Sequence, residues 1–123
     1  LQWGYAYQGE IGRASAQLGQ AQDALERTRR QARQEFERLQ HEVLGTAERA
    51  TVFEAEILPR ARRVAEGAEL AYRKGALSLT DLLDARRTLR VTALDAVAAR
   101  KEHAQALGAW QLRTGQAVAA ATP

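Results

Sequence analysis

The chain has 123 residues, 46% apolar, 6% aromatic and 27% charged, with a formal net charge of +3. That length predicts one small domain, and Ala supplies so much of the apolar fraction that thin helix-on-helix seams are expected in place of a thick core. The lack of Cys and Met excludes disulfides and thiolate metal sites, and the interspersed acids and bases read as a solvated helix face, not as a nucleic-acid footprint.

Without an initiator Met, the chain is expected to be a processed or excised piece. Residues 1–10 carry neither the basic start nor the apolar run of a secretory signal. In residues 1–8, Leu1, Trp3, Tyr5 and Tyr7 alternate with Gln2, Gly4, Ala6 and Gln8. Period two predicts a strand with unlike faces. It fits an edge strand or a disordered tail, and equally the end of a membrane-barrel strand with aromatics towards lipid. Gly9 ends the pattern.

From Ile11 the period changes. Ile11, Ala14, Leu18, Ala21, Leu25, Thr28, Ala32, Phe36, Leu39, Val43, Ala47, Ala50, Phe53, Ile57, Ala61, Val64, Ala68 and Ala71 step by threes and fours, the seam spacing of a coiled coil. The pattern predicts a helix over 11–73, about 90 Å long at 1.5 Å per residue. Pro59 falls inside it, with the pattern resuming at Ala61, so a bend is expected there and not a stop. Charges interrupt every apolar run before the ~18 residues of a transmembrane helix.

Tyr72-Arg73-Lys74-Gly75-Ala76-Leu77-Ser78-Leu79-Thr80-Asp81 is the most informative stretch. Arg73 and Lys74 suit a helix C-terminus, and Gly75 suits the left-handed position just past one. Ser78 followed by Asp81 reads as an N-cap with an acid in the first turn. So short a link, over 74–78, forces two helices to run antiparallel. The second helix is expected over 79–113, with Leu79, Leu82, Leu83, Leu89, Ala93, Val97, Ala104 and Leu107 as its stripe. Gly115 is expected to end it and 116–123 to form a loose tail.

The predicted fold is therefore all-α: a long antiparallel, coiled-coil-like helical hairpin over 10–115, after a short strand remnant or disordered tail at 1–9. The first helix exceeds the second, so its seam over Ile11–Ala32 lacks a partner within the chain. Other helices or self-association must cover it.

The long helix with Ile57-Leu58-Pro59, Ala71-Tyr72-Arg73-Lys74-Gly75 and Leu77-Ser78-Leu79-Thr80-Asp81-Leu82-Leu83-Asp84-Ala85 resembles the second structural repeat of TolC-type outer-membrane efflux proteins. It looks closest to the branch serving heavy-metal and related resistance-nodulation-division pumps. The Tyr-x-x-Gly-x-x-Ser/Thr-x-x-Asp-x-Leu-Asp-Ala spacing carries the likeness, and the helical pattern around it is generic. The resemblance implies a trimer in which each protomer has two repeats, each giving barrel strands and a helical hairpin. Together these form a passive duct across the outer membrane and periplasm of a Gram-negative bacterium. An inner-membrane pump and a periplasmic adaptor protein are its implied partners. On this resemblance the chain holds one hairpin and only the end of one strand; the outer membrane would be reached through the remaining barrel strands, which it lacks.

The resemblance also implies roles for residues. Asp81 and Asp84, three apart on one face, match acids that ring the lumen at the closed periplasmic end, where crowded carboxylates repel and bind cations. The plainer account is that acids near a helix N-terminus complement its dipole. Tyr72 matches contacts that hold the tip closed, or is simply an interfacial tyrosine. Some relatives carry a basic residue where Leu77 stands, so a closing salt bridge would need Arg73, Arg86 or Arg87, the last within reach of Asp84. Gly75, Ala76, Leu77 and Ser78 match the tip that meets the adaptor, with Leu77 an exposed knob; the same residues also make an ordinary turn.

His41 and His103 are solitary, and their neighbours Glu42 and Glu102 point elsewhere on a helix. No metal site, cofactor or nucleic-acid partner is expected, and no enzyme, for want of a Ser/His/Asp set, a Gly-rich phosphate loop or an HExxH helix. The alternative function is an adaptor-type or scaffolding coiled-coil hairpin that binds other helices, from which the strand at Leu1–Gln8 sets the duct apart. A third reading, a surface-lying membrane helix, needs a basic face against a bulky apolar one, which these Ala-rich, mixed-charge faces lack.

Overall fold

A computed structural model describes residues 3–121. Its elements are α1 (Trp3–Val52), a π-helical turn (Phe53–Ile57), α2 (Leu58–Arg73) and α3 (Leu79–Ala121). The protein is an all-helical antiparallel hairpin, as the periodicity predicts. It falls into two compact units, 1–38 and 39–123.

The expected strand is not there. Trp3–Gln8 is the first part of α1, with Tyr5 and Tyr7 both exposed; Leu1 and Gln2 lie outside the described residues. A strand leaves its N–H and C=O groups unpaired until another strand meets it, and the described residues contain none. Extending a helix already formed costs only one residue's ordering per bond gained. Helix therefore wins despite Gly4 and Gly9.

In the unit 39–123, one side of the seam is formed by Leu39, Val43, Thr46, Ala50 and Phe53 before the π turn and by Leu58, Ala61, Ala65 and Ala68 after it, all buried or half-buried. Opposite them, α3 presents Leu82, Leu89, Ala96, His103 and Trp110 at seven-residue intervals, with Ala85, Thr92, Ala99 and Ala106 between. Three hydrogen-bonded or ionic pairs fix the antiparallel register away from the turn: Thr46 Oγ1 lies 3.3 Å from His103 Nδ1, and Arg49 and Arg100 reach Glu102 and Glu54 at 3.2 and 2.9 Å. Nearer the turn, Arg86 meets Glu69 at 3.3 Å.

The π turn answers the question posed by Pro59. Proline has no N–H, and its ring clashes with the carbonyl four residues back in a regular α-helix. Here the Leu58 N–H bonds to the Phe53 carbonyl, five residues back, which widens the turn ahead of the ring. The extra residue moves the seam on by one. Leu58 and Ala65 face inwards where the regular pattern predicts Ile57 and Val64, and Val64 is 62% exposed. At Pro59, where a bend is expected, the helix carries a change of register.

The α3 stripe also differs from expectation. Leu82, Leu89 and Ala93 face inwards, whereas Leu79, Leu83, Val97, Ala104 and Leu107 are exposed. Ala96, Ala99 and Ala106 replace them in the seam, Ala96 being fully buried. α3 carries apolar side chains on more than one face, and the face with the smallest of them brings two backbones closest and gains the most dispersion contacts. Nor does α3 end at Arg113. It runs through Gly115 to Ala121, since a helical Gly costs only about 1 kcal/mol and the alanines after it are the best helix formers.

Candidate functional site

The hairpin turn is built by local rules. At the end of α2 the Gly75 N–H bonds to the Tyr72 carbonyl and the Ala76 N–H to the Ala71 carbonyl, both at 2.9 Å, with Gly75 at φ 74°. This is the Schellman arrangement, closed by a residue in the left-handed region. Three residues later Ser78 caps α3: the Asp81 N–H donates to Ser78 Oγ at 3.2 Å, and the Ser78 hydroxyl donates to Asp81 Oδ2 at 2.6 Å. The Leu82 N–H closes the first turn on the Ser78 carbonyl at 3.1 Å.

The two candidate acids therefore stand in different circumstances. The Asp81 carboxylate is engaged in the cap. Asp84 is exposed, and among the described residues its carboxylate makes no hydrogen bond or ion pair; only its backbone carbonyl is used, by the Thr88 hydroxyl at 2.9 Å. Tyr72 sits in the last turn of α2 and is 41% exposed. Gly75, Ala76 and Ser78 are exposed, but Leu77 is half-buried; the turn folds this side chain partly inwards instead of leaving it as a free knob. Of the arginines considered for a closing bridge, Arg86 is paired across the hairpin with Glu69.

Two apolar helix faces are uncovered. In the unit 1–38, every residue from Gly4 to Arg38 is exposed except Gly19 and Glu35, which are half-buried. Ile11, Leu18 and Leu25 are 58%, 60% and 50% exposed, as the sequence pattern predicts for a seam without a partner. The second face is the outer side of α3, where Leu83, Val91, Leu94 and Val97 are all at least half exposed. Leu83 and Val97 belong to the stripe expected from the sequence, whereas Val91 and Leu94 lie outside it, so the pattern gives this face no separate signal.

His103 lies within the seam beside Thr46, and His41 is exposed on α1. Among the described residues no group of three His, Asp or Glu side chains is placed to hold a metal ion, and no helix is long and apolar enough to cross a membrane. No family model, curated protein or solved structure matches this chain.

Proposed function

We propose that this chain is the hairpin of a passive outer-membrane efflux duct of the TolC type, a structural and non-catalytic element of a trimeric tripartite pump. The observation that carries the reading is the turn: Tyr72 in the last turn of one helix, Gly75 left-handed, and Ser78 capping a helix that presents Asp81 and Asp84. The uncovered faces of α3 and of residues 11–32 support it, since a tunnel wall needs each hairpin to pack against neighbours on both sides. In this reading Asp84 lines the constriction, Asp81 holds the cap beside it, and Gly75–Ser78 meets the periplasmic adaptor. Pumping energy comes from the inner-membrane partner.

The adaptor-type or scaffolding hairpin is the second reading, and one observation favours it. Trp3–Gln8 is helical, which takes away the strand alternation that would tie the chain to a barrel.

A photo-cross-linker at Leu77, in a Gram-negative cell expressing the parent protein, separates the two. The duct reading expects a product with a periplasmic adaptor. A product with an outer-membrane channel transfers the chain to the adaptor role, and the absence of any envelope product sinks both.

A further inference from the structure

We propose that the outer face of α3 docks a partner helix that presents an acid, an aliphatic residue and a second acid at seven-residue steps. A neighbour in a duct wall and the target of a scaffolding hairpin would both have to meet this requirement, so it rests on neither reading.

Arg87, Leu94 and Lys101 follow one another at seven-residue steps along α3, turned away from Leu89, Ala96 and His103 in the seam. All three are exposed, and Leu83, Val91 and Val97 beside them are each at least half exposed. Arg87 and Lys101 make no hydrogen bond or ion pair among the described residues. Arg86 and Arg100, one position earlier in each case, reach Glu69 and Glu54 across the hairpin. No acid of α3 serves the row. Asp81 is held in the helix cap and Glu102 reaches Arg49, while Asp84 and Asp95 stand roughly a quarter-turn round the helix, at about 100° per residue.

The place of the two cations decides the occupant. They lie within the apolar face, about 10 Å to either side of Leu94 at 1.5 Å per residue. An apolar helix covering this row would bury both charges unpaired, which costs more than covering Leu94 gains. A lipid surface suits the opposite layout, with bases at the margins of an apolar face so that their heads reach water. Carboxylates at the heights of Arg87 and Lys101, either side of an aliphatic residue at Leu94, pair both charges as the seam closes. The pattern is symmetric about Leu94, so a parallel or an antiparallel helix satisfies it. A second copy of this chain does not supply it. Its acids fourteen residues apart, Asp23 with Glu37, Glu42 with Glu56 and Asp81 with Asp95, have Arg30, Arg49 and Thr88 midway.

The probe is a helical peptide with Glu, Leu and Glu at seven-residue steps in an Ala and Gln background, titrated into the full chain and followed by amide chemical shifts. Its dissociation constant should be at least about tenfold below that of an isomer with the order Glu, Glu, Leu. Arg87→Glu with Lys101→Glu should abolish this binding and transfer the preference to a Lys, Leu, Lys peptide. Arg62→Glu with Arg63→Glu, which reverses two exposed charges on α2, should leave it unchanged. All four side chains are exposed, so every variant should keep its helix content, which circular dichroism checks. Equal binding of the two isomers, binding indifferent to the reversal at Arg87 and Lys101, or no shift at about 1 mM peptide would overturn the proposal. Sedimentation with phosphatidylcholine–phosphatidylglycerol vesicles that the same reversal abolishes would also overturn it, and would assign the face to a lipid surface.

Discussion

Gly75 holds φ 74°, a region where a side chain crowds the backbone, so Gly75→Ala should cost about 1 kcal/mol in urea unfolding of the hairpin. Ser78→Ala removes the acceptor for the Asp81 N–H and the donor to its carboxylate. A similar loss of about 1 kcal/mol is expected. Asp84 supports nothing of this kind, and Asp84→Ala should leave stability within about 0.5 kcal/mol of the parent. That contrast makes Asp84 the cleaner probe of a lumenal role. Under the proposed duct reading, Asp84→Ala, and Asp81→Ala with Asp84→Ala, are expected to raise conductance and weaken cation block in the trimer that reading implies; unchanged conductance in bilayer recordings would remove the proposed gating role.

At the level of the element, the π turn and Pro59 belong together. Deleting Ala55, an exposed residue of the turn, would restore α-helical phase but place proline in a regular helix interior, and a loss of about 3 kcal/mol is expected. The same deletion with Pro59→Ala should recover that loss, because the inward register of Leu58, Ala65 and Ala68 is kept. Equal stability of the two deletion variants would show that the wide turn does not exist to house the ring. The α3 seam is a second case. Ala96 is fully buried, so Ala96→Leu should destabilise by about 1–3 kcal/mol through overpacking. Leu94→Ala on the exposed side should change little in the same melting experiment.

For the whole molecule, what holds the hairpin is the length of a narrow seam. Among the described residues the buried ones are Leu39, Ala50, Ala65, Leu82, Ala96, Ala99 and Ala106, mostly too small to contribute much each, so many weak contacts act together. The ion pairs across it are exposed and contribute about 0–1 kcal/mol apiece; their role is to fix register. Residues 39–121 alone should therefore melt with the cooperativity of the full chain. A peptide of residues 3–38 should show helicity that rises with concentration, since an isolated helix is only marginally stable until something covers its seam. Concentration-independent helicity in that peptide would argue against any need for a partner.

The sequence by itself determined the two arms, the turn and the bare row. Heptad spacing, Gly75 and the Ser78-to-Asp81 step are local signals, and local hydrogen-bonding and steric rules read them without knowledge of the rest. Tertiary structure decided which residues face inwards. Pro59 changes phase only because a π turn was the cheaper way to keep packing on both sides of it, and α3 turns its alanines inwards because two backbones gain most by approaching closely. The Trp3–Gln8 alternation misled for the complementary reason. A strand is defined by its neighbour, and with no neighbouring strand the same residues continue the helix that follows.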